Sequence, residues 1–426
     1  MKLPIKTNGL LTLSSEFLVS LSFICYFCAP LIRIAIKVVL GSLLGTQAVR
    51  MLTILVIYAP LIMACIIAPR KHIKADFIFL WLFVGLLFLF SYLTHDEYEY
   101  WYTRDNYGVW DYVLVPTEGL YAYLFIRLMD DPAKIKKNLK IAGWLMLIYF
   151  TYQLSVFFSR GYWVGIGSLN NNLKMDHSVS FGYNVMFFGV VFLYDALSNL
   201  KKQDIIAAGI YIVYLFLSGT RGPVLFVAVF VFLYALIYVR NMKNGRKQLL
   251  FYATISLACI ALFALYDYVL LFLSQILSRW DSTARIINAL INGSFMEDNG
   301  RFGIWEAAIN MIRENPWGYG PMGSQPVISK LIYVGYPHSV ILEVLIDFGV
   351  VVGGAILLML GTNSVSMLFN RKNKVWTGVF LVFFASACQL FISLCYWSAP
   401  AFWCCIAVGV NCKLSQKGKG RIINKD

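Results

Sequence analysis

Runs of about twenty apolar residues recur from one end of this chain to the other, and a segment of that length and composition is suited to crossing a lipid bilayer. The windows fall near 12–32, 47–68, 76–94, 112–128, 141–158, 179–198, 204–218, 223–239, 249–273, 340–362, 375–395 and 400–412. Hydrocarbon offers no water to backbone N–H and C=O groups, so each window must satisfy its own peptide bonds, which an α-helix does. The sequence therefore predicts an all-α polytopic membrane protein of about 12 transmembrane helices. With 59% hydrophobic and 14% charged residues, the chain lies outside the mixture typical of soluble domains. The first run has no small-x-small cleavage site and is read as a retained span.

The basic residues sort by connection. Lys2 and Lys6, the Arg70–Lys74 and Arg127–Lys140 stretches, Lys201 and Lys202, Arg240–Lys247, Arg371–Lys374 and the C-terminal lysines occupy alternate connections. The positive-inside rule puts these, and both termini, in the cytoplasm. The net charge of +14 is thus an expression of topology and does not imply a nucleic-acid partner. The nine cysteines lie in or at the ends of apolar segments, which predicts neither a disulfide framework nor a zinc site. The expected division is 1–273 for spans 1–9, 274–338 for a large extracytoplasmic loop or cap, and 339–426 for spans 10–12 with a cytoplasmic tail. A second outward connection, residues 95–111, is acidic and heavily aromatic. Its rings are open to two readings, a membrane-interface belt or a surface for stacking on sugars.

The stretch from Arg301 to Gly353 organises the rest. The spacing predicts an amphipathic helix opening at Arg301, with Asp298 or Asn299 as N-cap and Phe302, Ile304, Trp305, Ala308, Ile309 and Ile312 on one face, stopping at Asn315-Pro316. An arginine in a first helical turn opposes the macrodipole, and the positions three and four residues on are Ile304 and Trp305, not acids. It is either a solvated side chain or, with the free N–H groups of the helix, a site for a phosphate or diphosphate.

Two further features carry ionisable groups at membrane edges. Ser218-Gly219-Thr220-Arg221-Gly222-Pro223 reads as a tight turn with Arg221 at its apex, and Pro223 in the first turn of the next helix. Arg221 either snorkels to headgroups or serves a site. His338 precedes the tenth span, where the helix dipole favours the neutral, base-competent ring. Glu343 and Asp347 follow four apart on one helical face. Carboxylates inside a membrane need partners, and an outward arginine such as Arg221 or Arg301 is expected; the alternative is that they only hold helices together. The pair Glu97 and Glu99 is a weak candidate for a divalent cation, and no P-loop, dinucleotide or zincin pattern occurs where it could work. No metal or cofactor is expected.

Taken in order, the residues resemble a known family. A small-x-Arg-Gly turn is followed by an outward loop beginning Ser278-Arg279-Trp280-Asp281. Gly300-Arg301-x-x-x-Trp305, Asn315-Pro316-Trp317-Gly318-Tyr319-Gly320, Pro337-His338-Ser339-x-x-x-Glu343 and Phe348-Gly349-Val350 come next. This arrangement, over roughly 205–360, resembles the O-antigen ligase and polymerase superfamily of bacterial membrane glycosyltransferases. The family commonly has His-Asn where this chain has His338-Ser339, which leaves the base and removes the neighbouring amide.

The resemblance implies a GT-C-like fold in the bacterial cytoplasmic (inner) membrane with the active site on the extracytoplasmic side. It implies a metal-independent, inverting glycosyltransferase using a donor linked to undecaprenyl diphosphate. Carried onto this chain, Arg221 and Arg301 would grip the donor diphosphate and His338 would activate the acceptor hydroxyl. Arg279 and Arg285 are secondary candidates for the anion, with Glu343, Asp347 and Trp305 beside the substrate. The implied partners are undecaprenyl-diphosphate-linked glycans and membrane lipid, with a chain-length regulator and a flippase in the same system. The activity expected is polymerisation of O-antigen, capsule or exopolysaccharide repeats. Two alternatives are a ligase of the same superfamily and a lipid-linked oligosaccharide flippase or transporter.

Overall fold

The computed structural model describes residues 5–7, 10–12, 14–41, 45–104, 108–166, 172–175, 177–240, 245, 246, 248, 253, 301–332, 335–371 and 373–423. The predicted window 249–273 apart from residue 253, the N-cap candidates Asp298 and Asn299, and the arginines Arg279 and Arg285 lie outside the described residues. Apart from two short antiparallel hairpins, Ile5–Thr7 with Leu10–Thr12 and Trp163–Ile166 with Asn172–Met175, the regular structure is helical. The principal helices are α1 (Ser15–Phe27), α2 (Ala29–Leu40), α3 (Thr46–Ile67), α4 (Ala75–Thr94), α5 (Gly119–Leu128), α6 (Pro132–Arg160) and α7 (Val179–Asn199). They continue with α8 (Lys202–Leu217), α9 (Arg221–Arg240), α10 (Arg301–Glu314), α11 (Val340–Phe348), α12 (Gly354–Leu368), α13 (Lys374–Ala387) and α14 (Pro400–Ile423).

The chain is an all-α polytopic membrane protein: among the described residues seven helices are long and apolar enough to cross a bilayer. An eighth span is possible where α1 and α2 pass the same test together, bent by 79° at Cys28. The expected twelve are not reached among the described residues, and the differences have local causes. The window 112–128 is interrupted, with Val109–Leu114 and α5 on either side of Pro116. A proline has no N–H for the helical ladder and biases the residue before it away from helix. The window 204–218 forms α8, a helix of 16 residues, short for a hydrocarbon core about 30 Å thick. Helix α14 does not pass as a candidate span.

The connections group at two ends. At one, Lys71 and Lys134 both reach Glu16, at 2.7 and 2.8 Å, and Lys136 and Lys140 converge on buried Asp195 at 2.9 and 3.0 Å. Arg240 at the end of α9 lies over the ring of Phe369 at 4.6 Å. These are the connections that the charge pattern assigns to one side. At the other end, the aromatic stretch 95–104 docks onto the elbow after α10. Tyr98 donates to the Tyr319 carbonyl at 3.1 Å, Tyr102 to the Pro321 carbonyl at 3.4 Å, and Arg104 to Gln325 Oε1 at 3.2 Å. Tyr98 and Tyr102 are buried, so these two rings hold loops together instead of facing lipid or sugar.

The predicted helix over 301–314 is present, but its buried face is narrower than expected. Ile304, Ala308 and Met311 form a small core with Ile328 and Ile346, whereas Phe302 and Ile309 are exposed. At about 100° per residue those two positions sit roughly two fifths of a turn from the centre of the buried stripe, close to the opposite face. The stripe packs α10 against α11.

The α11–α12 span is broken at Gly349, whose φ of +74° is left-handed. The break frees backbone groups that an intact helix would pair, and the Pro316–Gly320 elbow takes them over. Tyr319 N donates to the Ile346 carbonyl at 2.8 Å, Gly320 N to the Asp347 carbonyl at 3.0 Å, and Val350 N to the Pro316 carbonyl at 2.8 Å. Gly318, with φ +96°, lies against this backbone so closely that a Cβ would fall 2.5 Å from Gly349 N. The Asn-Pro-Trp-Gly-Tyr-Gly and Phe-Gly-Val stretches, far apart in sequence, are thus two halves of one joint.

Candidate functional site

His338 leaves this joint one residue before α11's N-cap, Ser339, with its backbone at φ +52°. A left-handed conformation costs a non-glycine residue roughly 1–3 kcal/mol and persists where its surroundings impose it. Those surroundings are visible. Trp305 Nε1 donates to the Pro337 carbonyl at 3.1 Å, and the Tyr336 ring meets the imidazole edge-on with centroids 4.6 Å apart. Nδ1 of His338 is buried and has no hydrogen-bond partner. Burial, and then the positive charge of Arg301, hold the imidazole's pKa down at about 4. The ring is neutral at neutral pH, as its place before a helix suggested, although desolvation and Arg301 are the causes.

Arg301, in the first described turn of α10, is half-buried, and its charge also acts on the hydroxyl of Tyr183 in the first turns of α7. Tyr183 in turn marks the place of Arg221. Its hydroxyl oxygen would lie 2.5 Å from a Cβ at Gly222, so only a glycine next to Arg221 admits the ring. Arg221 opens α9 instead of sitting at the apex of the turn, where Gly219 takes the left-handed conformation with φ +69°. The turn is pinned to the start of α7 by Ser178 N donating to the Ser218 carbonyl at 3.0 Å and by the Ser218 and Thr220 hydroxyls, 2.7 Å apart. His338, Arg301 and the Arg221-Gly222 turn thus meet around Tyr183. Tyr183 was not singled out from the sequence, since one tyrosine among 26 in an apolar helix carries no local signal. Only its contact with the turn's glycine reveals it.

Three expectations change. Glu343 and Asp347 have no arginine partner within ion-pair distance among the described residues; both are buried, at 1% and 3% exposure. Asp347 accepts from Tyr396 Oη at 2.6 Å, Trp397 Nε1 at 3.0 Å and Met322 N at 3.2 Å, while Glu343 accepts from Tyr396 N at 3.3 Å and from the Cys395 thiol. Their lone pairs are used in tying α11 to the 395–397 turn and the elbow. Trp305, expected beside substrate, has its one N–H engaged by Pro337. That bond ties α10 to the residue just ahead of His338. The rings of Trp317 and Tyr100 are exposed.

The fold brings the Arg221-Gly222 turn against Tyr183, and the charge of Arg301 bears on both Tyr183 and the neutral imidazole of His338, whose Nδ1 is buried without a hydrogen-bond partner. Residues 206–359, which include Arg221, Arg301 and His338, match a family model described as O-antigen ligase. No curated protein and no solved structure matches the chain. The match over 206–359 makes this part of the multi-pass membrane protein similar to the O-antigen ligase/polymerase superfamily.

Proposed function

We propose that this protein is a polysaccharide polymerase that acts on lipid-linked glycans at the outer face of the bacterial cytoplasmic membrane, with both termini inside. The observation that carries the reading is the reach of one charge: Arg301 acts on His338 and on Tyr183, and Tyr183 lies against the turn that begins with Arg221. The donor is a growing glycan on undecaprenyl diphosphate, and the acceptor is a hydroxyl of the next lipid-linked repeat unit. An imidazole nitrogen of His338 takes the hydroxyl proton as the oxygen attacks the anomeric carbon from the face opposite the diphosphate. The bond from that carbon to the diphosphate oxygen breaks, and the configuration inverts. The charge appearing on the leaving diphosphate is stabilised by Arg221 and Arg301, which suits a mechanism without a metal. The loop over 274–338 serves as the sugar-binding cap, with Arg279 and Arg285 available to the same anion.

A base held at about 4 is weak in the free protein. The incoming diphosphate strengthens it in part: negative charge beside Arg301 offsets that residue's repulsion of the imidazolium, the smaller of the two causes, while burial, the larger, remains. Base and donor are thereby coupled, and the histidine becomes more competent when there is something to transfer.

The ligase alternative, transfer of finished polymer to another acceptor by the same chemistry, is as compatible with the family match as the polymerase. A flippase would need ionisable groups free to exchange partners, whereas Glu343 and Asp347 are closed off by Tyr396 and Trp397. The test is to incubate membranes containing the protein, or its His338→Ala, Arg221→Ala or Arg301→Ala forms, with the native lipid-linked repeat and separate lipid-linked products by size. A ladder at repeat spacing from the unaltered protein alone is expected. A ladder of equal yield from His338→Ala would overturn the assignment of the base, and a single transfer onto an added acceptor with no ladder would establish the ligase.

A further inference from the structure

At the end of the bundle away from His338, the last turns of α7, α9 and α12 and the first of α13 enclose a cavity of about 400 Å³. Arg240, Arg371 and Lys374 stand at its rim, and Tyr194, Tyr234 and Tyr238 form part of its wall. The three cations are exposed, and among the described residues none has a carboxylate within ion-pair distance. Nearby lysines behave otherwise: Lys71, Lys74, Lys134, Lys136 and Lys140 are all paired with acids. The rings form a continuous wall. Tyr234 stacks on Tyr238 with centroids 6.2 Å apart and meets Tyr194 edge-on at 5.9 Å. Tyr234 Oη lies 3.2 Å from Ser198 Oγ, which gives the wall a polar edge.

Three like charges gathered without an acid repel one another, and an anion between them removes that cost. Guanidinium groups suit the tetrahedral phosphate, offering paired N–H donors. The wall beside them is aromatic, and tyrosine at the end of a membrane helix sits at headgroup depth with its ring towards apolar matter and its hydroxyl towards water. A free inorganic ion would use the cations and leave this wall without a role. We propose that the cavity binds the headgroup of an anionic glycerophospholipid. The phosphate lies between Arg240, Arg371 and Lys374, and the glycerol and first acyl carbons run along Tyr194 and Tyr234. Basic pockets between membrane helices on the cytoplasmic side are suited to such headgroups.

The test uses the full chain purified in detergent and titrated with dihexanoyl phosphatidylglycerol, dihexanoyl phosphatidylcholine or inorganic phosphate, with intrinsic fluorescence as the readout. The phosphatidylglycerol is expected to bind saturably and the phosphatidylcholine far more weakly. Replacing Arg240, Arg371 and Lys374 together by Gln should weaken phosphatidylglycerol binding about 100-fold, at the typical contribution of a basic residue near an anionic headgroup. Lys374→Gln alone, an exposed change that leaves folding untouched, should weaken it about 5-fold. Equal binding of the two lipids, or undiminished binding to the Lys374→Gln and triple variants, would overturn the proposal. Inorganic phosphate that competes as tightly as the lipid would identify a soluble anion as the occupant and overturn the lipid.

Discussion

The indole Nε1 of Trp305 donates to the carbonyl of Pro337 at 3.1 Å, so α10 holds the residue just ahead of His338. This bond links the helix that carries Arg301 to the segment that carries the histidine, and it helps to fix a backbone that His338 would not adopt freely, at φ +52°. Trp305→Phe keeps most of the ring and removes the donor. A net hydrogen bond contributes about 1 kcal/mol, and the loosened histidine should slow turnover by about 10-fold with little change in KM for the donor. The check is a rate measurement at saturating and limiting lipid-linked repeat; a change confined to KM would show that Trp305 touches substrate instead.

The His338 imidazole is held at about 4 in the folded protein, below the ordinary 6.5. Between those values the unfolded chain binds more protons than the folded one, so this residue makes stability rise with pH across that window. Above pH 6.5 the neutral ring carries no such penalty; on acidification the stability falls away, and the loss is complete below about pH 4. Replacing His338 with Gln removes this contribution. Thermal unfolding of the detergent-solubilised protein at pH 4.5 and 7.5 should show a smaller difference in Tm for His338→Gln than for the unaltered chain. An identical difference would mean that the ring titrates normally.

Asp347 accepts from three buried donors, Tyr396, Trp397 and Met322 N. Truncation to Ala would leave all three without a partner, at a cost of about 1–3 kcal/mol for each buried group. Asp347→Ala should therefore lower the amount of folded protein in the membrane and its Tm, while Asp347→Asn, which keeps an acceptor oxygen, should restore much of the yield. Activity per folded molecule separates the roles: a normal specific activity in Asp347→Asn fits a carboxylate that holds the joint, and its loss with full yield would return Asp347 to the reacting groups.

Much of the site was legible because its residues announce themselves by being costly where they stand. Arg301 opposes its helix dipole without an acid to offset it, and Arg221 and His338 were expected at membrane edges, where ionisable groups are costly. The partners of Glu343 and Asp347 were not legible. Cost alone demands a donor without naming it, and the donors prove to be tyrosine, tryptophan and backbone some fifty residues downstream. Among the described residues fewer spans are found than expected for a related reason: hydropathy measures apolarity over a window, and neither the break at Pro116 nor the shortness of Lys202–Leu217 changes it much. Periodicity likewise assigned Phe302 and Ile309 to the buried face, though the outward helix is only partly covered.

Gly222 and Tyr183 allow the convergence itself to be tested. A Cβ at 222 would lie 2.5 Å from the Tyr183 hydroxyl oxygen, inside any van der Waals contact, and the half-buried tyrosine ring has little room to retreat. Gly222→Ala should therefore push Tyr183 towards Arg301 and lower transfer activity by at least 10-fold, with modest loss of stability, since overpacking typically costs about 1–3 kcal/mol. Tyr183→Phe removes the clashing atom. If the hydroxyl only fills space, the single Tyr183→Phe protein stays active and the double variant recovers most of what Gly222→Ala lost. If it also donates to the bound diphosphate, Tyr183→Phe alone raises KM for the donor and the double variant recovers stability but not affinity. Full activity in Gly222→Ala would mean that the ring and the turn move apart freely, and the geometric link between Arg301 and Arg221 would then fall.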